Sequence, residues 1–138
     1  MTGEEKQRRF DLFNSYDDFN RHNGLRLTDV GDGTATVEVT LRRESLNPRG
    51  MAHGGLIFTL CDVATGVAAR TGGRTTVSQD ASIYFLRPGV NTEKLTAKGR
   101  VLKEGRTTGY AEAEVFNDDG TLIAKAAVTV HYLDDRKA

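Results

Sequence analysis

Apolar residues alternate with polar ones in several segments, which is the pattern of β-strands. In residues 34–42, Ala35, Val37 and Val39 fall on one face, while threonine and glutamate occupy the other. A period of two indicates a half-buried strand. A short strand is also predicted at 25–30. Four more strand-like segments follow at roughly 75–87, 93–104, 107–118 and 121–133. Their last two connections are short enough for hairpins, which favours an antiparallel sheet.

Two segments have helical character instead. Residues 4–20 carry Phe10 and Phe13 at helical spacing and are otherwise rich in charge, which predicts an amphipathic helix. The second segment, Gly54 to Ala69, contains one charge, Asp62, in sixteen residues. It is too short for a membrane span and is interpreted as a core helix surrounded on most sides. The predicted fold class is therefore α+β, with one antiparallel β-sheet wrapped around a long central hydrophobic helix.

Length and composition predict one folded domain. The chain has 138 residues, 28% of them charged and 38% hydrophobic, and we expect a single domain over 1–138 with 1–22 as its N-terminal helical segment. Nineteen Lys and Arg balance nineteen Asp and Glu. A net charge of zero gives no overall attraction to nucleic acid or to an anionic membrane, and nothing repels a second copy of the chain.

The cysteine and histidine content indicates the cellular compartment and bears on whether a metal is expected. Cys61 is the only cysteine and has no partner for an intramolecular disulfide, so a reducing cytoplasm is expected. The N-terminus is charged from residue 4 and lacks the apolar core of a signal peptide. The three histidines show no ligand spacing, so no metal is expected.

The start of the apolar helix combines groups that suit acyl chemistry. A carboxylate such as Asp62 is costly to bury on an apolar helix unless a neighbour partners it. Gly54 and Gly55 leave backbone N–H groups uncovered at the positive end of the helix dipole, where they can stabilise the oxyanion of a carbonyl under attack. With the Asn47 amide nearby, these groups favour acyl transfer. A structural role for Asp62, as a cap or as the partner of an arginine, is the alternative.

The spacing of Gly54 and Asp62 predicts a dimer. The two residues are eight positions apart, which is roughly 12 Å along a helix axis. Both cannot contact one carbonyl carbon from the same chain. If both are catalytic, the helices of two subunits lie side by side, so that Gly54 of one faces Asp62 of the other. Either the protein is an obligate dimer with two composite sites, or one of the two assignments is wrong.

Three motifs resemble those of a known family. They are Asn47-Pro48-x-Gly50-x-x-His53-Gly54-Gly55, then Leu60-x-Asp62, then Phe85-Leu86-Arg87-Pro88-Gly89. The set resembles the hotdog-fold acyl-CoA thioesterases, and within these the phenylacetic-acid-degradation (PaaI-like) type. The resemblance runs from about residue 20 onward. It implies a long helix enclosed by an antiparallel sheet, a side-by-side homodimer that in the family often pairs into a homotetramer, and hydrolysis of an aryl- or medium-chain acyl-CoA. Dimer and tetramer both remain open at this point.

The resemblance also implies roles for individual residues. Asp62 matches the catalytic carboxylate, acting as nucleophile or as general base for water, and Gly54 matches the oxyanion N–H donor. Asn47 lies where the family places an amide near the attacked carbonyl or the lytic water. His53 matches the histidine beside the oxyanion glycine, and Ser78 matches the hydroxyl that holds the water. The structural alternatives are a loop cap for His53 and an ordinary sheet position for Ser78.

A basic turn provides the expected coenzyme A site. Coenzyme A carries phosphates and an adenine, and Lys103, Gly105, Arg106 and Thr107 supply cations and backbone donors at a hairpin that resembles the family's pantetheine-and-nucleotide loop. An ordinary charged turn is the alternative. Gly55 joins the substrate-binding residues unless it serves only close packing of helix and sheet. Coenzyme A is part of the substrate and product, so no separate cofactor is expected.

Two other functions fit parts of this pattern. A hotdog hydratase or dehydratase needs an Asp–His pair, or a His with a Glu on the helix, whereas the central helix carries Asp62 without a histidine. A non-catalytic acyl-CoA-binding module would keep the basic turn and lose the acid or the oxyanion glycine, and both are present. Hydrolysis is therefore the function that the sequence favours.

Overall fold

The computed structural model describes residues 1–133, with residue 16 described by its backbone alone. Three α-helices and six strands follow one another as α1 (Gly3–Tyr16), α2 (Asp18–His22), β1 (Leu25–Gly31), β2 (Thr34–Thr40), α3 (Gly54–Arg70), β3 (Thr76–Phe85), β4 (Lys94–Glu104), β5 (Thr108–Phe116) and β6 (Leu122–Tyr132). A short 3₁₀ turn, Arg43–Ser45, lies between β2 and α3. The predicted α+β class and the predicted strands are confirmed, and their ends agree within a few residues. The last five residues of the predicted domain, 134–138, lie outside the described part.

The six strands form one antiparallel sheet in the order β1-β2-β4-β5-β6-β3. Hairpins join β4 to β5 and β5 to β6, as their short turns predict. β3 does not pair with β4, its successor in the chain, but with β6 at the far edge. This order places β1 at one edge of the sheet and β3 at the other.

Helix α3 packs directly on the sheet, as its apolar sequence predicts. Its sheet-facing residues, which include Leu60, Cys61, Ala64 and Ala68, are almost completely buried. Gly99 on β4 lies under the helix, and a Cβ at that position would come 2.6 Å from the Ala64 carbonyl oxygen. A side chain at Gly99 would therefore force helix and sheet apart. This close approach fixes which residues of α3 face away from the sheet.

The single N-terminal helix predicted over 4–20 is two helices in the structure. α1 begins with Thr2, whose hydroxyl accepts the Glu5 N–H while the Glu5 carboxylate accepts the Thr2 N–H. The Asp17 carboxylate accepts the Asn20 N–H and so caps the start of α2. A short acidic side chain that bonds to nearby backbone competes with helix continuation, which is why the helix breaks at Asp17.

No helix in the described residues 1–133 is long and apolar enough to cross a membrane. The cytoplasmic location expected from the sequence stays a prediction.

Candidate active site

The Asp62 carboxylate is partnered by a hydroxyl from the sheet edge. Asp62 is partly exposed, unlike the fully buried Leu60 and Cys61 beside it on α3. Ser78 on β3 donates its hydroxyl to Asp62 Oδ1 at 2.5 Å. Neither the backbone cap nor the arginine partner considered for Asp62 is seen among the described residues. We refer to Asp62 and Ser78 as the carboxylate half of the site.

Cys61, next to Asp62 in the chain, lies in a different environment. It faces the sheet and is 1% exposed. Burial raises the pKa of the Cys61 thiol from 9.0 to about 12, and the charge of Asp62 adds to this effect. A thiol with this pKa is protonated at neutral pH and is a poor nucleophile. Cys61 is therefore a core residue rather than a candidate nucleophile.

The first turn of α3 leaves one backbone donor free. His53 is the N-cap of the helix, and its Nδ1 accepts the Gly55 N–H at 2.8 Å. The Leu56 N–H is donated to the His53 carbonyl oxygen. Within the described chain, no group accepts the Gly54 N–H. We refer to His53, Gly54 and Gly55 as the amide half of the site.

The bond from Gly55 also determines the chemistry that His53 offers. Because Nδ1 accepts a hydrogen bond, it carries no proton, and the neutral ring holds its proton on Nε2. The geometry is that of the cap considered as the alternative role for His53. Gly55 does not lie against the sheet: it is exposed, and a Cβ there would approach His53 Nδ1 at 3.0 Å. The Gly55 N–H is used by the cap, so Gly54 supplies the available N–H.

Asn47 shapes the loop that leads into α3. Its side-chain oxygen accepts the N–H groups of Arg49 and Met51 at 2.9 and 3.1 Å. The loop is further held by His53 N–H bonded to the Ser45 carbonyl and Ala52 N–H bonded to the Gly89 carbonyl. The oxygen of the Asn47 amide is thus engaged in the turn. Its NH₂ group donates to none of the described residues and stays available to a ligand.

The two halves are separated within one chain. Gly54 begins α3 and Asp62 lies eight residues further, which is roughly 12 Å along the axis. The Phe85 ring lies beside Gly54, where a Cβ on the glycine would be 3.5 Å from it. Ser78 and Phe85 therefore mark opposite ends of β3, one at each half. One described chain does not bring both halves to a single carbonyl.

The basic turn between β4 and β5 is held by an arginine that sequence reasoning missed. Arg74 is 8% exposed and donates to the carbonyl oxygens of Gly105 and Arg106 at 2.8 and 2.5 Å. Its guanidinium lies 3.6 Å from the centre of the Tyr132 ring. Gly105 has room for no side chain, because a Cβ would be 2.5 Å from the Thr108 carbonyl oxygen.

The charged side chains of the turn, Lys103 and Arg106, are exposed, as is the neighbouring Thr107.

The sequence gives no periodic pattern that would predict the structural role of Arg74. The Gly72-Gly73 pair before it indicates a turn but not the contacts of the arginine. Phe85 was part of a recognised motif, yet its contact with Gly54 was not foreseen.

Residues 1–133 contain no group of three or more His, Cys, Asp or Glu positioned to hold an ion. The residues described above provide a carboxylate, a hydroxyl, an imidazole, an amide and a free backbone N–H. These are the components of acyl transfer by general base or nucleophilic catalysis.

Comparison with known proteins agrees with this chemistry. The family model of the thioesterase superfamily matches residues 49–124. The acyl-coenzyme A thioesterase PaaI of Escherichia coli is 33% identical over 101 residues, covering 73% of this chain and 72% of the relative. The structure of the E. coli PaaI protein from the phenylacetic acid degradation operon matches with a TM-score of 0.89 and 26% identity over 98% of both chains. A Streptococcus mutans protein bound to acetyl-CoA matches with a TM-score of 0.76 and 34% identity, covering 82% of this chain and 91% of that one. The chain therefore belongs to the thioesterase superfamily and is a thioester hydrolase with the hotdog fold of the PaaI-like type.

Proposed function

We propose that the protein is an acyl-CoA thioesterase that hydrolyses an aryl- or medium-chain acyl-CoA to the free acid and coenzyme A. The observation that carries the proposal is the Asp62 carboxylate bonded to Ser78 on the open side of an otherwise apolar helix. A partly exposed carboxylate held in this way can act as a general base or as a nucleophile. The names of the E. coli relative and of the acetyl-CoA-bound neighbour support coenzyme A as the thiol.

Asp62 is proposed to drive the attack on the thioester carbonyl. As a general base it takes a proton from water while the water oxygen bonds to the carbonyl carbon; as a nucleophile its own oxygen forms that bond, giving an anhydride that water then cleaves. In both routes the carbonyl oxygen becomes an oxyanion, the C–S bond breaks, and coenzyme A leaves as the thiolate. Ser78 holds the carboxylate or the water in place.

Gly54 is proposed to donate its free N–H to the oxyanion, with His53 and Asn47 shaping the loop that presents it. A donor aimed at the developing charge contributes about a hundred- to a thousandfold in kcat. Because Gly54 and Asp62 of one chain are too far apart, the N–H comes from a second subunit. The proposed active form is a homodimer with two composite sites, paired further into a homotetramer.

The free edge of β3 supports this dimer. β3 pairs with β6 alone in the described sheet, and its side chains are mostly exposed, including Val77, Tyr84 and Phe85. An unpaired apolar edge strand is a template for pairing with another chain. Antiparallel pairing of two β3 strands about their middle brings Ser78 of one subunit toward Phe85 of the other. That arrangement joins a carboxylate half to an amide half.

The basic turn is proposed to bind the phosphates and pantetheine of coenzyme A through Lys103, Gly105, Arg106 and Thr107, held from beneath by Arg74. No separate cofactor or metal is needed, because water, carboxylate and backbone N–H supply every proton and charge in the reaction.

The test is thiol release from a panel of aryl and straight-chain acyl-CoAs, measured with a thiol-reactive dye for wild type and Asp62→Ala in parallel. We expect wild type to release coenzyme A and the variant to lose activity by about two orders of magnitude or more. An exposed aspartate on β1, changed as Asp29→Ala, is the matched control and retains activity. Wild-type binding of acyl-CoA without turnover would contradict the proposal and favour the binding module.

A single turnover in H₂¹⁸O tests the nucleophilic role of Asp62. With enzyme in excess, general base catalysis places ¹⁸O in the product acid, as does nucleophilic attack when water then cleaves the anhydride at its acyl carbonyl. Cleavage at the Asp62 carbonyl instead gives an unlabelled acid and leaves ¹⁸O in Asp62. Label found in Asp62 by mass spectrometry of the enzyme therefore establishes the nucleophilic route.

A further inference from the structure

A cavity of about 610 Å³ lies beside the amide half of the site. This volume is typical of small-molecule pockets. Its first wall is the beginning of α3, with His53, Gly55, Leu56 and Thr59. Its facing wall is α2, with Phe19 and His22. His53 and Gly55, the neighbours of Gly54 in the chain, both line the cavity, although Gly54 itself does not.

Helix α2, which forms the facing wall, is short but is held in place by several hydrogen bonds. Asn20 of α2 is 4% exposed, and its amide donates to the Asp17 carboxylate at 2.5 Å. The Arg42 guanidinium donates to the His22 carbonyl oxygen. The Asn23 amide donates to the Phe19 carbonyl oxygen at 2.9 Å. Phe19 is thus held by its backbone while its side chain is 62% exposed.

The cavity and the basic turn lie at opposite ends of α3. The turn is held by Arg74, just beyond the helix C-terminus, and the cavity surrounds the helix N-terminus. In a side-by-side dimer with antiparallel helices, the turn of one subunit lies near the cavity of the other. A substrate held by its coenzyme A part at the turn then passes its carbonyl at the composite site and extends its acyl part into the partner subunit's cavity.

We propose that this cavity receives the acyl group and that Phe19 is a specificity-determining residue that limits its length. The inference rests on the proposed acyl-CoA thioesterase function. Leu56 and Phe19 provide apolar contact near the carbonyl end. Beyond them the rim carries Asn23, Arg42 and Glu44, which are polar or charged. A saturated chain that extends past Phe19 would remove water from these groups without replacing their hydrogen bonds, which is unfavourable.

The variant Phe19→Ala tests the limit. We measure kcat/KM for straight-chain acyl-CoAs from about four to about fourteen carbons, since the ratio of kcat/KM between substrates measures specificity. Removing the ring frees the volume that it occupies, so the preferred chain becomes longer only by the methylenes that fit before the polar rim, with a gain of about fourfold in kcat/KM for each methylene newly buried there. Short acyl-CoAs change little. Phe19→Leu keeps most of the bulk and retains the wild-type profile.

The matched control is Leu12→Ala on α1. Leu12 is 60% exposed and lies seven residues before Phe19 in the chain, but it does not line this cavity. We expect an unchanged chain-length profile. An equal shift in Leu12→Ala would overturn the proposal, because it would show a general loosening of the N-terminal helices. An unchanged chain-length profile in Phe19→Ala would overturn the proposal as well. If that variant also changes the oligomeric state, the result would indicate that another copy of the chain covers the cavity.

A binding measurement separates this inference from the proposed reaction. Calorimetric Kd values for the same acyl-CoAs are compared between Asp62→Ala and Asp62→Ala/Phe19→Ala, neither of which is expected to turn over substrate. The ring deletion should tighten binding of the long chains and leave coenzyme A itself unchanged. Absence of wild-type turnover would refute the thioesterase proposal, whereas an unchanged Kd series would refute the role of Phe19.

Discussion

The carboxylate half and the amide half of the site are made from different parts of the chain. The carboxylate half consists of two side chains, Asp62 on a helix and Ser78 on a strand, joined by one hydrogen bond. The amide half presents a backbone N–H, which depends on the path of the loop and on the cap made by His53. The identity of a side chain is known from the sequence. Whether a backbone N–H is available to a ligand depends on the hydrogen bonds that its neighbours form in the folded structure. The two halves should therefore respond differently to substitution.

The largest effect is expected from Gly54→Pro, which removes the free N–H. Proline is favoured at the first position of a helix, and the extended backbone of His53 (φ −64°, ψ 136°) suits a residue before proline. We expect kcat to fall about a hundred- to a thousandfold with KM nearly constant. Thiol-release kinetics measure both.

Gly54→Ala is the matched control for this substitution. It keeps the N–H, and its Cβ would meet the Phe85 ring at an ordinary contact distance of 3.5 Å. Activity within a fewfold of wild type is expected. If proline and alanine reduce kcat equally, shape rather than the N–H donor matters at this position.

The assignment of the halves to two subunits is tested by mixing inactive variants. Asp62→Ala and Gly54→Pro are co-expressed with different tags. Half of the randomly formed dimers contain one of each, and each of these has one intact composite site, so about a quarter of wild-type activity returns. Co-expressing Asp62→Ala with Asp62→Asn places both changes in the same half and restores nothing. A lack of recovery in the first mixture would show that each chain acts alone.

Ser78→Ala is expected to have a smaller effect than loss of either principal group. It removes one hydrogen bond to a charged acceptor, which is worth about 1.5–3 kcal/mol, so kcat falls about ten- to a hundredfold. Ser82→Ala, an exposed serine on the same strand, is the control and retains activity. Equal losses for the two serines would mean that the strand edge, rather than the bond to Asp62, determines the rate.

The smallest effect concerns Cys61, the neighbour of Asp62 that belongs to neither half. Its pKa is about 12 in the folded protein and near 9.0 when unperturbed. Above about pH 9 the folded state holds more protons than the unfolded state, so the free energy of unfolding decreases as the pH rises. Below about pH 9 the contribution of the protonated Cys61 thiol to that free energy is fully present.

Urea unfolding at about pH 8 and about pH 10 measures this change. The midpoint of wild type should fall more between the two pH values than that of Cys61→Ala, whose lost volume lowers both midpoints alike. Equal falls would contradict the buried thiol. The variant is also expected to keep its thioesterase activity, because the thiol has no part in the reaction.

Local sequence determined most of the elements and most of the chemical groups. Alternating residues such as Val37 and Val39 specified strands, because one side of the sheet is buried and the other is not. A nearly uncharged segment with Asp62 as its one exception specified both the core helix and the candidate catalytic residue. The family resemblance placed Ser78 beside the lytic water, but its direct hydrogen bond to Asp62, sixteen residues away, was not predicted, since no spacing rule links a helix to a strand.

The tertiary structure decided what depends on long-range contacts. The helix break at Asp17 follows from a side chain competing for backbone, which amphipathic periodicity does not register. The position of β3 at the sheet edge depends on the pairing order of all six strands, and the support of the basic turn by Arg74 depends on where β6 places Tyr132. The cavity under Phe19 exists because α2 is fixed by Arg42 across the start of α3. Sequence patterns report which face of an element is buried, whereas these features arise from which elements meet, and that is settled only when the chain packs.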